Sequence, residues 1–234
     1  MKYSILILTF LATLFLNNHS WSQDCGQMDY LAKGNSWVLT QYNKRGKVTG
    51  HTDYTILDER TVDGNREWDI KTVMKDKKEE ELSSATATAI CDGEKIMLDF
   101  QQVMQSTAAM ESMEGMETEI EGDDIGYPFD MKEGMELEDV SVSIKASSGG
   151  VQLVKVDTKI KDRIVEAKET ITTPAGEFET FKIVQTSVVE MGFIKSETSS
   201  IDWYAPGFGI VKSEYYNKRG KLTGSSEITK FTKG

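Results

Sequence analysis

Apolar and polar positions alternate with a period of two through most of this chain, the signature of strands with one face toward a core. Trp37-Val38-Leu39-Thr40-Gln41-Tyr42 and Lys47-Val48-Thr49-Gly50 flank Asn43-Lys44-Arg45-Gly46. Asn first and Gly fourth is the residue choice of a type I turn closed by a left-handed glycine bulge, so a hairpin is predicted there. Asp63-Gly64 and Asp92-Gly93 are further hairpin signals. From residue 140 onward nearly everything reads as strand: 140–144, 151–159, 164–172, 178–189, 193–203, 209–216 and 221–231. Short strands with regular turns and no interleaved helices pair antiparallel. The predicted fold class is mainly β, with antiparallel curved sheets forming a half-open barrel or sandwich. One stretch breaks the pattern. Residues 101–116 carry Val103, Thr107, Met110 and Met113 near helical spacing, so a short helix is expected there, laid over one mouth of the sheets.

The N-terminus follows different rules. Lys2 precedes an apolar run from Ile5 to Leu16, shorter than the roughly 20 residues of a spanning helix. Ser20 and Ser22 fit the small-residue positions of a signal-peptidase site. Residues 1–22 are read as a removed signal peptide and 23–234 as a single β-rich domain, soluble and without a transmembrane segment. Ser22-Gln23-Asp24 before Cys25 does not fit a lipidation site. Export to the periplasm or beyond exposes the two thiols, Cys25 and Cys91, to an oxidising compartment, so they are expected to form one disulfide.

Charge narrows the partners. The net charge of −11 argues against nucleic acid, which needs a basic footprint. Twelve acids and one base lie between Glu111 and Asp139, so the acidity is one block and the rest of the chain is nearly neutral.

Against that background, residues 42–50 (YNKRGKVTG) recur as 216–224 (YNKRGKLTG) with one conservative change. Two independent hairpins would solve one turn problem twice. Alternatively both tips lie at one end of the fold, and Lys44, Arg45, Lys47, Lys218, Arg219 and Lys221 form a patch for a phosphate, a lipid headgroup or an acidic glycan. Met104, Met110 and Met113 are a candidate apolar lid, since methionine is chiefly a flexible gap-filler or the wall of an adaptable pocket. Catalysis has little support: His51 is the one histidine beyond the signal, and there is no GxSxG, P-loop, GxGxxG or HExxH. No catalytic residue, metal site or cofactor is predicted.

Three stretches carry a family resemblance: Tyr127-Pro128 with residues 131–137 (YPFDMKEGMEL), residues 173–183 (TPAGEFETFKI) and residues 203–222 (WYAPGFGIVKSEYYNKRGKL). Together they resemble the TapB-like family of exported bacterial proteins of unknown function. The resemblance implies curved half-barrel sheets similar to YmcC-like and LolA-like envelope proteins, and it implies no activity or catalytic residue.

The expected function is a non-enzymatic envelope protein that binds or maintains an amphiphile or glycan, with the apolar part of the ligand in the sheet concavity. The partners considered are lipid, acidic glycan or another envelope protein. Two alternatives remain: a hydrolase of envelope glycans using paired carboxylates, and a purely structural envelope protein.

Overall fold

The computed structural model describes residue 25, residues 28–99, residue 102 and residues 115–234. The expected signal peptide lies outside the described residues, as does nearly all of the expected helix over 101–116. Thirteen strands follow a 3-10 turn at Asp29–Leu31: β1 (Ser36–Asn43), β2 (Val48–Val62), β3 (Asn65–Asp76), β4 (Glu81–Cys91), β5 (Lys95–Leu98), β6 (Glu117–Gly122) and β7 (Ile125–Pro128), then β8 (Val140–Ser148), β9 (Val151–Thr173), β10 (Gly176–Met191), β11 (Ile194–Ala205), β12 (Gly209–Asn217) and β13 (Leu222–Thr232). They form one antiparallel sheet in the order β6-β8-β9-β10-β11-β12-β13-β1-β2-β3-β4-β5-β7. It is mainly β and open, a curled single sheet rather than a two-sheet sandwich.

Residues 151–159 and 164–172, which read as two strands, are one. Lys161-Asp162-Arg163 has the composition of a turn, but Asp162 takes φ 54° and forms a bulge instead. Lys161 pairs with Thr186 and Ile164 with Val184, so two residues of β9 oppose Gln185 alone. The bulge re-aims Arg163 inward, where it is 1% exposed.

Two clusters fill the concave face. The larger gathers Trp37, Ile56, Trp68, Phe178, Trp203, Phe208, Val211 and Ile228 with the buried Cys91. Phe208, in the turn between β11 and β12, packs against Tyr30, Trp37, Phe178 and Phe231 with ring centroids 4.9–5.7 Å apart, and plugs one end of the sheet. The second cluster brings Ile125 and Tyr127 of the edge strand β7 onto Val140, Val165, Phe181, Ile183 and Tyr204 from the other half. Tyr127 stacks on Tyr204 at 4.3 Å. Arg163 bridges this seam, donating to the carbonyls of Glu138 (2.7 Å) and Gly126 (3.3 Å). One side chain thus does what a strand ladder would do in a closed barrel.

Candidate functional site

The two repeated segments fold alike, hydrogen bond for hydrogen bond. In the first, Gly46 N–H donates to the Asn43 carbonyl (2.8 Å) and Asn43 N–H to the Lys47 carbonyl (2.9 Å), while Asn43 Oδ1 accepts from the N–H groups of Arg45 and Lys47. In the second, Gly220 N–H donates to Asn217 (2.8 Å), Asn217 N–H to Lys221 (3.0 Å), and Asn217 Oδ1 accepts from Arg219 and Lys221. Gly46 and Gly220 sit at φ 71° and 68°, the left-handed region that glycine enters without a Cβ penalty. The geometry leaves Lys44, Arg45, Lys47, Lys218, Arg219 and Lys221 all exposed.

A third turn, between β3 and β4, repeats the pattern with other residues. Glu79 N–H donates to the Asp76 carbonyl and Asp76 N–H to Glu80, while Asp76 Oδ1 accepts from Lys78 and Glu80. Those N–H groups of Glu80 and Lys78 hold the Asp76 carboxyl below the usual carboxylate range. Glu79 stands where the others have glycine, at φ 68°.

The registers place all three turns on one rim. Asp76 pairs with Gly50 and Gly50 with Gln41, two residues short of Asn43. Asn43 pairs with Gly224 and Gly224 with Tyr215, two residues short of Asn217. Each hairpin therefore steps two residues along the strand for every two strands crossed. At about 3.3 Å per residue and about 4.8 Å per strand, that is a tilt of roughly 35°, the value at which staggered tips of a curled sheet come level. The β12–β13 and β1–β2 tips are adjacent on this rim, because β13 and β1 are paired neighbours.

Among the described residues, none of the six tip cations makes an ion pair, whereas many other bases do. The third tip differs: Lys77 and Lys78 are followed by Glu79, Glu80 and Glu81, and Glu79 lies 3.2 Å from His51 Nε2 and 4.0 Å from Lys75. The two repeated tips therefore each carry three exposed bases that make no ion pair among the described residues, with no acid inside the turn.

Sequence reasoning missed a buried polar network at the seam. Asp202 accepts from Ser213 (2.5 Å) on Oδ1 and from Gln185 (2.8 Å) and Ser200 (2.9 Å) on Oδ2. Gln185 Oε1 in turn accepts from Arg163 Nε at 3.1 Å. Burial pushes the Asp202 carboxyl up, against the pull of its three donors and of Arg163. Burial also raises the stacked tyrosines, Tyr127 to about 12 and Tyr204 further. These residues are far apart in sequence and individually ordinary, so no local signal announces them. The network ties β9, β10, β11 and β12 together beside the seam.

Two open grooves lie on the surface of the described residues. One, of about 630 Å³, runs between Glu121, Ser141, Asp157 and Lys195. The other, of about 730 Å³, is bordered by Tyr30, Met131, Lys168 and Glu179. The concave face is lined by the two apolar clusters described above. His51 is tied to Thr40 (3.1 Å through Nδ1) and Glu79. Among the described residues, no group of three or more His, Cys, Asp or Glu is placed to hold a metal ion, and no helix is long and apolar enough to cross a membrane. The lid residues Met104, Met110 and Met113 lie outside the described residues. Cys25 and Cys91 are bonded, with an S–S distance of 2.07 Å and Cα atoms 5.8 Å apart.

The DUF3108-like family model matches residues 32–228, from just before β1 into β13. The chain belongs to the DUF3108-like family. Among solved structures, this DUF3108-like chain is similar to a protein of YmcC-like fold from Bacteroides fragilis NCTC 9343 that is assigned as exported. The two share 22% identity at a TM-score of 0.70, over 86% of this chain and 96% of the other. It is also similar to a protein from Parabacteroides distasonis ATCC 8503 assigned as a lipoprotein, at 20% identity and a TM-score of 0.70, again over 86% and 96%. At these identities the likeness establishes the fold alone. No curated protein matches the sequence.

Proposed function

We propose that this DUF3108-like protein is an exported, non-enzymatic envelope module that binds an anionic amphiphile or glycan through its two repeated tips. One observation carries the reading: identical Lys-Arg turns on adjacent hairpins, without ion-pair partners among the described residues, in a protein of net charge −11. A single exposed charge gains about 1 kcal/mol at most, but neighbouring tips act on one anion together. Turn geometry rests on Asn43, Gly46, Asn217 and Gly220. It does not require Lys-Arg at the intervening positions, so their recurrence points to a surface role. The apolar N-terminal run, the resemblance to TapB-like exported proteins and the assignments of the two solved relatives support export.

The test is charge reversal. Lys44→Glu, Arg45→Glu, Lys218→Glu and Arg219→Glu together are expected to leave thermal stability unchanged. They should weaken binding to phosphatidylglycerol vesicles or to heparin, used as a model polyanion, at least tenfold at low salt, since each base near an anionic surface contributes about 1 kcal/mol. A reversed protein that binds both as tightly as the parent overturns the reading.

A further inference from the structure

The hairpin beside the basic tips is of another kind. Asn217 pairs with Thr198 and Thr198 with Ser187, and from there β10 and β11 continue four more residues to the closing pair Met191 and Ile194. The rim's own step is two residues, so this finger stands about 7 Å proud of the basic tips at about 3.3 Å per residue. Its two-residue turn is Gly192-Phe193, with Gly192 at φ 58°. Phe193 is fully exposed and Ile194 is 63% exposed, with Val189 and Met191 also open to solvent. The next hairpin reaches further still, since Met191 pairs with Val156, five residues short of its tip at Val151; there Val151 and Leu153 are 61% and 57% exposed, beside Glu117 of the edge strand. In a chain that buries three tryptophans and several phenylalanines completely or nearly so, an aromatic ring carried free at the summit of a hairpin has no folding role.

The charges nearby complete the pattern. Glu190 on the finger is matched by Lys195 at 2.5 Å, and Glu197 lies in the field of Lys161. The acidic strand β6, with Glu117, Glu119 and Glu121, is at the sheet edge with β8 and β9 between it and the finger, and Lys145 bridges two of its three carboxylates. The finger's neighbour on its other side is the Lys218-Arg219-Lys221 tip.

We infer that the anion recognised by the tips is a lipid surface, and that Phe193 and Ile194 insert into it while the six bases meet its headgroups. This rests on the reading of the tips as an anion site and names its partner. The height of the finger matches the roughly 5–10 Å over which interfacial segments enter the boundary between headgroups and acyl chains. Apolar insertion and a polybasic patch are the two weak signals that together give stable but reversible membrane attachment. A protein partner fits less well, because a two-residue turn does not provide the roughly 800 Å² per side that a stable protein interface buries.

The experiment compares three forms of the oxidised protein: the parent, the Phe193→Ser/Ile194→Ser double variant and the fourfold charge reversal. Each is sedimented with vesicles of phosphatidylglycerol and phosphatidylcholine, and separately titrated with heparin as a soluble polyanion without an apolar layer. The finger variant is expected to lose about tenfold in vesicle affinity and to bind heparin as the parent does, and Phe193→Trp is expected to keep vesicle binding. Charge reversal should weaken both. A finger variant that sediments with vesicles like the parent, while charge reversal still weakens binding, overturns the membrane inference and leaves the anion site standing. A charge-reversed protein that retains vesicle and heparin binding overturns both readings.

Discussion

Burying a carboxylate among neutral donors sets desolvation against hydrogen bonding, and at Asp202 desolvation is the larger effect. The folded state therefore holds a proton on Asp202 more tightly than the unfolded chain does. Below about pH 4, where an unfolded aspartate is protonated, that preference contributes fully to stability. It is lost as pH rises through the folded-state pKa, because the native protein must then ionise a buried group. In urea unfolding followed upward from pH 3.5, the parent is predicted to lose stability relative to Asp202→Asn as pH rises, until Asp202 is ionised in the folded state as well. Parallel curves throughout would show that Asp202 titrates alike in both states. Arg163 stands in the same balance: its guanidinium satisfies two carbonyls and Gln185 at a position reached only through the Asp162 bulge.

Among the elements, the three Asx turns make a controlled comparison, since one backbone path is built from Asn-Lys-Arg-Gly twice and from Asp-Lys-Lys-Glu once. Gly46→Ala and Gly220→Ala place a Cβ at positive φ and are predicted to cost about 1 kcal/mol each. Glu79→Gly removes one and is predicted to gain about 0.5–1 kcal/mol, even after losing its exposed contact with His51. Thermal unfolding of the three single variants checks the signs, and the opposite sign at Glu79 would mean that its contacts outweigh its backbone strain. The first two turns were legible because Asn at the first position and Gly at the fourth dictate the path locally. The third was not, because Glu79 hides the glycine position. Other features were illegible for a different reason. Lys161-Asp162-Arg163 reads as a loop, and pairing with β10 on both sides of the bulge keeps β9 continuous through it. Strand β7 meeting Tyr204, and Asp202 meeting Gln185 and Ser213, depend on how the sheet curls. No period or spacing in the chain encodes that directly. Phe193 reads from sequence as the start of the strand over 193–203, whereas it stands in the turn closed by Met191 and Ile194; register, not composition, shows how far that turn projects.

For the whole molecule, the curl of the sheet segregates charge. The acidic strand β6 and the short strand β7 are the two edges, while β12, β13, β1 and β2 in the middle of the order carry the basic tips. The opposite end is closed by the Phe208 aromatic cluster and anchored by the Cys25–Cys91 bond, which ties the N-terminal segment to the end of β4. On the reading proposed above, the paired tips of the rim are the face that meets an anionic surface. The most direct measurement of this account is a backbone-amide NMR titration of isotope-labelled protein with small bicelles containing phosphatidylglycerol. The account predicts that the largest shifts fall on Lys44 to Lys47, Lys218 to Lys221 and Gly192 to Ile194, and that they diminish as salt is raised. Shifts concentrated along the two grooves, or an unchanged spectrum at low salt, would contradict it.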